Sequence, residues 1–148
     1  MSGALYTTEI LRLATSIPHL GQLDHRDAHV EKRSPVCGSR IAVDVRLDDK
    51  GRVAAFAQTV NACALGQASA SILGRYVIAR SAEELESVCA ALAALLQGAN
   101  DEVRQLPALN IFVAAQGHSA RHASIRLPFE AAAEAVLMAA RLRQAHAA

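Results

Sequence analysis

Two of the chain's three cysteines stand where a thiol could bind a metal or accept sulfur. Cys37 precedes Gly38 in a segment expected to turn, and glycine lets the backbone bend so that the thiol projects. Cys63 follows an apolar run and precedes small residues over 64–71, where a strand should pass into a helix. A helix N-terminus favours the thiolate, which is the form that ligates metals and attacks sulfur. The two positions predict thiolate ligation or sulfur transfer, although their spacing alone leaves two unrelated buried thiols as the alternative.

Cys89 has a different sequence context from the other two cysteines. It stands in a run of apolar residues that recur at helical spacing. A free cysteine in such a stripe packs as a small hydrophobic side chain, so we predict a core position for it. The stripe comprises Leu85, Val88, Cys89, Leu92, Leu95 and Leu96.

A strand hairpin is predicted between Cys37 and Cys63. Residues 40–47 alternate apolar and polar, 48–51 contain the Asp and Gly residues of a turn, and 52–60 return as a second strand. The outer ends of an antiparallel hairpin lie side by side. The two cysteines can therefore share one site despite their separation in sequence.

The rest of the chain is predicted to be mostly helical. A helix capped by Thr7 or Thr8 is expected to run to about Ile17, and residues 19–36 are interpreted as a polar loop. Further predictions are a helix over 64–78, a helix from the Ser81–Glu84 capping box to Gly98, a strand over 109–114 and a last helix opened by Pro128 and covering 129–146. This order predicts one α+β domain over 1–148, with a small antiparallel three-stranded sheet packed against several helices.

Composition excludes several classes of function. The 148 residues are 52% hydrophobic, carry a net charge of +1 and contain no long apolar run, which argues against nucleic-acid binding and membrane insertion. The N-terminus has no pattern of a secretory signal, and an odd count of three cysteines indicates reduced thiols in the cytoplasm. A hydrolase is disfavoured because no G-x-S-x-G or other nucleophile motif is present.

The cysteine motifs resemble those of the iron–sulfur cluster assembly scaffold family, which includes IscU, SufU and the N-terminal domain of NifU. Cys37-Gly38 is similar to the family's first motif, and the segment from Ala62-Cys63-Ala64 to Ser71 is similar to its second. Residues 5–22 resemble the family's opening helix and turn, and the segment beginning Leu127-Pro128 resembles the opening of its last helix. The likeness extends over nearly the whole chain.

The resemblance implies a scaffold or carrier rather than an enzyme, with a SufE/NifU-like fold. Cys37 and Cys63 would bind iron or a transient [2Fe–2S] cluster and accept sulfur, with Gly38, Ser39 and Arg121 in supporting roles. The implied partners are a cysteine desulfurase and apo-protein acceptors, and the scaffold could be an oligomer. The alternative is a zinc-binding sulfur acceptor, or an interaction module, that no longer builds clusters.

The chain departs from the family pattern at two positions. Ser39 replaces an aspartate implicated in metal binding and cluster release, and the third cysteine is missing. One alignment register places Ser124 at the missing cysteine, whereas the other places Ala123 there and gives His122 a ligand position. In that second register His122, with His118 four residues earlier, could complete a set of two cysteines and two histidines suited to a cluster or to zinc.

Overall fold

The computed structural model describes residues 5–36 and 38–147, and Cys37 lies outside the described residues. The predicted α+β fold is confirmed: one antiparallel sheet with strand order β1-β2-β3 packs against helices. The elements in chain order are α1 (Thr8–Ala14), β1 (Ala28–Arg33), β2 (Arg40–Leu47), β3 (Val53–Asn61), α2 (Ala64–Tyr76), α3 (Ala82–Leu96), a 3₁₀ helix (Pro107–Ala115) and α4 (Ser119–Ala147).

The predicted hairpin is present as β2 and β3. Its apolar face is buried on β2, where Ile41, Val43 and Val45 are each at most 1% exposed. Strand β2 pairs antiparallel with β3, so that Arg40 lies opposite Asn61 at the open end of the hairpin. The regular alternation along β2 is therefore what fixes one end of the sheet next to the predicted thiol site.

The loop predicted over 19–36 is wrong in its second half, where β1 forms. This edge strand pairs with β2, and Arg33 lies opposite Arg40. Only Ala28 and Val30 point into the core, while the outward residues are polar, so the apolar alternation is too short to recognise in the sequence.

The predicted start of the last helix at Pro128 is also wrong. Helix α4 begins at Ser119 and carries Pro128 in its interior. Proline lacks the N–H that would bond to the carbonyl four residues earlier, which here belongs to Ser124. Proline is common at the first position of a helix, so an interior proline followed by a helical pattern predicts a helix start at that residue.

The strand predicted over 109–114 is a 3₁₀ helix, Pro107–Ala115. Its buried residues, Leu109, Phe112 and Ala115, recur every third position, which matches the three residues per turn of this helix. A short apolar run does not distinguish a buried strand from a helix. Pro107 at the first turn favours the helix because its φ is already helical.

The helix boundaries marked by capping residues agree with prediction. Ser81 and Glu84 form the expected capping box, with Glu84 N–H donating to Ser81 Oγ at 3.2 Å and Ser81 N–H donating to Glu84 Oε1 at 3.1 Å. Thr7 caps α1. That helix ends at Ala14 rather than near residue 17, and the hydroxyl of Ser16 donates back to the Arg12 carbonyl at 2.9 Å.

Candidate functional site

A cavity of about 340 Å³ opens at the end of the sheet where β1 ends, β2 begins and β3 ends. Arg33, Arg40 and Asn61 face one another across the three strands at this end. Gly38 and Ser39 just before β2, and Ala62 and Cys63 just before α2, complete the lining. The lining residues are Arg33, Gly38, Ser39, Arg40, Asn61, Ala62 and Cys63.

Cys63 is the N-cap residue of α2, as the sequence predicted from the passage of a strand into a helix. Its backbone is extended, with φ −66° and ψ 170°, and its half-buried side chain makes no capping hydrogen bond. The first backbone N–H groups of a helix have no partners within the helix. The Cys63 thiol therefore lies at the positive end of α2, where a negative charge is stabilised.

Two buried hydroxyl groups connect Cys63 to the other elements of the site. The Ser124 Oγ lies 3.4 Å from the Cys63 Sγ and 3.0 Å from the Ser39 Oγ. Ser124 is fully buried, and Ser39 is 2% exposed. Ser124 on α4 therefore contacts the Cys63 thiol directly, and Ser39 contacts Ser124 in turn.

The small residues of α2 allow α4 to come this close. A Cβ added at Gly66 would lie 2.5 Å from the Ser124 Oγ and 2.7 Å from the Ala62 Cβ, so no side chain fits there. One turn later the buried Ser69 hydroxyl donates to the Ile125 carbonyl at 2.5 Å. The run of glycine and serine after Cys63 therefore fixes the position of Ser124.

His122 points away from this group. It stands two positions before Ser124 on α4, which is roughly 200° around the helix. Its Nε2–H donates to the Ala115 carbonyl at 2.8 Å, and His118 is an exposed residue just before the helix. Arg121 lies one turn before Ser124 and is half-buried. Of the residues that the two alignment registers offered, the structure places Ser124 beside Cys63.

Cys89 lies on α3, packed against the apolar core and half-buried. Burial, with further contributions from the carboxylates of Glu130 and Glu86, raises the pKa of the Cys89 thiol to about 12. This cysteine therefore stays protonated at neutral pH. Among residues 5–36 and 38–147, no three His, Cys, Asp or Glu side chains come together as a metal site.

Arg33, Arg40 and Asn61 line the cavity but were not among the predicted site residues. Arg40 and Asn61 could have been found from the hairpin register, because the residues at its open end lie opposite each other. Arg33 could not be found without recognising β1. Within the described part of the chain, no helix is long and apolar enough to span a membrane.

Comparison with known proteins identifies a family over most of the chain. The family model for the NifU-like N terminal domain matches residues 5–131. No curated protein matches the chain.

Solved structures that resemble this chain share its fold. The N-terminal part of a nitrogen-fixing NifU-like protein from Brucella abortus is 33% identical, with a TM-score of 0.88 over 95% of this chain and 97% of that chain. A hypothetical protein is 26% identical, with a TM-score of 0.79 over 89% of this chain and 96% of that one. A candidate iron–sulfur cluster assembly scaffold for the SUF system of Fervidobacterium islandicum shares the fold, with 16% identity, a TM-score of 0.83 and coverage of 92% and 99%.

Proposed function

The chain belongs to the NifU-like N-terminal domain family, and from that premise we propose that it is a scaffold on which iron–sulfur clusters are assembled. Iron, sulfur and the nascent [2Fe–2S] cluster are substrates of this role, and the finished cluster passes to apo-proteins. The scaffold is a carrier, not an enzyme, and works as one domain in the cytoplasm with a cysteine desulfurase as sulfur donor.

The observation that carries this proposal is the Cys63 thiol at the N-terminus of α2, beside a cavity at the end of the sheet. A thiol that accepts sulfur must be reachable by a donor and stabilised as thiolate. Cys63 meets the first condition through the cavity, and it lies at a helix N-terminus, where the helix dipole favours negative charge. Cys37 is the second proposed ligand, and its sequence neighbours Gly38 and Ser39 line the same cavity.

Sulfur acceptance at Cys63 would be an exchange between the Cys63 thiolate and the persulfide of the donor. The Cys63 thiolate attacks the terminal sulfur of the donor's persulfide, a new S–S bond forms at Cys63, and the donor leaves as a thiolate. The hydroxyl of Ser124, held by Ser39, would fix the direction of the attacking sulfur. This step needs no external oxidant or reductant.

The ligand set supports a transient hold on the cluster. A [2Fe–2S] cluster takes four protein ligands in its usual sites, and thiolates are the common ones. Here the site offers Cys63, with Cys37 as the second thiol, while Ser124 and Ser39 contribute neutral hydroxyls. A scaffold must release what it assembles, and a short set of thiolates favours release.

Cluster assembly and transfer can be tested on purified protein. The protein is reconstituted anaerobically with ferrous iron, cysteine, a cysteine desulfurase and a thiol reductant that converts persulfide sulfur to sulfide, and it is then mixed with an apo-ferredoxin. We expect visible charge-transfer absorption on this chain that moves to the ferredoxin, faster than cluster forms from free iron and sulfide. Stoichiometric zinc without labile sulfide would instead support the sulfur-acceptor alternative, and no bound metal or sulfide would contradict both.

A further inference from the structure

The cavity beside Cys63 carries an excess of positive charge. Arg33 and Arg40 line it, and no carboxylate does so among the described residues. The nearest acidic partner is Glu31, whose Oε1 lies 3.6 Å from Arg33 and 3.9 Å from Arg40, beyond ordinary hydrogen-bond length. One carboxylate thus faces two guanidinium groups that are 71% and 45% exposed, so both guanidinium groups can bind a further anion.

The sheet register holds the two arginines as a pair. Arg33 and Arg40 are direct partners across β1 and β2, which places their side chains on one face with Cβ atoms about 5 Å apart. A guanidinium group binds a carboxylate through two parallel hydrogen bonds. Two such groups side by side in the lining of a cavity form a receptor for a small carboxylate.

A cluster bound beside Cys63 would need more thiolate ligands than the chain supplies there. Of the described residues Cys63 is the one thiol that lines the cavity, Cys37 is proposed as the second, and Cys89 is on α3 and is kept protonated by its surroundings. His122 is engaged by the Ala115 carbonyl. A cluster held here would therefore lack thiolate ligands, and the cavity of about 340 Å³ is at the small end of the range for small-molecule sites.

We propose that this cavity binds a low-molecular-mass thiol that carries a carboxylate. The carboxylate lies between Arg33 and Arg40, and the sulfur lies beside Cys63. The role assigned to the bound thiol rests on the proposed function: it loses its proton to solvent and serves as an exchangeable thiolate ligand to the cluster. The binding preference itself is a property of the metal-free chain.

A metal-free exchange reaction tests the preference. In a Cys37→Ala, Cys89→Ala background, only Cys63 reacts with disulfides. The Cys63 thiolate attacks one probe sulfur, the probe's S–S bond breaks, a mixed disulfide forms and a coloured thiolate leaves. The probes are dithiobis(nitrobenzoate), which carries carboxylates, and the uncharged dithiodipyridine. The ratio of the two rates cancels any change in the fraction of Cys63 thiolate.

The decisive variant is the double substitution Arg33→Gln, Arg40→Gln. Its control is the double substitution Arg12→Gln, Arg104→Gln, which removes the same charge from exposed residues outside the cavity lining. The first pair should lower the ratio of anionic to neutral rates roughly 5- to 10-fold, and the control pair should leave it unchanged. Salt near 1 M should remove most of the difference, because it shortens the screening length to about 3 Å. Equal ratios in both double variants would overturn the proposal.

Reconstitution tests the role of the bound thiol. Cluster is assembled on the wild-type chain with either mercaptopropionate or mercaptopropanol, which differ in a carboxylate and a hydroxyl. We expect higher cluster occupancy with mercaptopropionate than with mercaptopropanol. This difference should disappear in the Arg33→Gln, Arg40→Gln variant and persist in the Arg12→Gln, Arg104→Gln control. Equal occupancy with both thiols would overturn the ligand role. If neither thiol yields cluster, the scaffold function fails, and the exchange ratio still decides whether the cavity selects anionic thiols.

Discussion

Cys63 and Cys89 are the same side chain in two environments, and the difference separates a reactive thiol from a packing group. Cys63 lies two residues after β3, is the N-cap residue of α2 and lines a cavity with two arginines. Cys89 lies in the middle of α3, against the core and near the carboxylates of Glu86 and Glu130. The position of each cysteine on its helix and the charges beside it therefore determine whether its thiol is reactive, although the residue type is the same.

The largest expected difference between the two thiols is in alkylation. At pH 7, Cys89 should carry about a thousandth of the thiolate of an ordinary thiol, because its pKa is raised from 9.0 to about 12. Iodoacetamide should modify Cys63 about 100-fold faster or more, measured by mass spectrometry on chains that keep one of the two cysteines in a Cys37→Ala background. Equal rates would show that the two environments do not differ as described.

Gly66→Ala should disrupt the Cys63 site without touching α3. The added methyl would overlap the Ser124 hydroxyl and Ala62, and overpacking of this kind costs about 1–3 kcal/mol. The matched control is Gly117→Ala, where a Cβ meets nothing within 4 Å. Urea unfolding should show the loss of stability only in the first variant, and a similar stability for both would contradict the close approach of α2 and α4.

Ser124→Ala should have a smaller effect on stability. It removes the hydrogen bond to Ser39 and the contact with the Cys63 thiol, at a cost of about 1 kcal/mol. Ser87→Ala removes an exposed hydroxyl that accepts from Gln105 Nε2 at 3.0 Å, and because water can replace that bond the cost should be smaller. Unfolding free energies provide the comparison, and a Ser124→Ala chain as stable as the control would argue against the hydroxyl pair.

The last expected effect is a pH dependence from Cys89, which is absent at neutral pH and develops only above pH 9.0. Its folded pKa is raised, so between pH 9.0 and about 12 the folded chain holds a proton that the unfolded chain has released. The stability associated with the protonated thiol is fully present below pH 9.0 and falls as the pH rises through this range. The wild type should lose stability more steeply there than Cys89→Ala, as measured by urea unfolding at each pH. Parallel curves would contradict the burial of this thiol.

Local patterns predicted those parts of the fold that depend on local interactions. The capping box at Ser81, the alternation along β2 and the placement of Cys63 at the start of α2 each follow from a few adjacent residues. Such signals need no tertiary information. The β2–β3 hairpin and most of the helices were accessible to prediction for this reason.

The parts that were missed depend on contacts between distant segments. Strand β1 is recognised by its pairing with β2 rather than by its own short apolar pattern. Ser39 and Ser124 are 85 residues apart, and only the packing of α4 against α2 brings them together. Pro128 was interpreted as a helix start because the sequence does not show that neighbouring helices support a proline inside α4.

The central claim is that a cluster is assembled at Cys63 and not at Cys89. It is tested most directly by measuring iron and acid-labile sulfide, with the visible spectrum, after anaerobic reconstitution of the wild type, Cys63→Ala and Cys89→Ala. We predict that Cys63→Ala loses both the cluster and its absorption, whereas Cys89→Ala keeps wild-type amounts. Equal cluster content in wild type and Cys63→Ala, or loss in Cys89→Ala alone, would contradict the account.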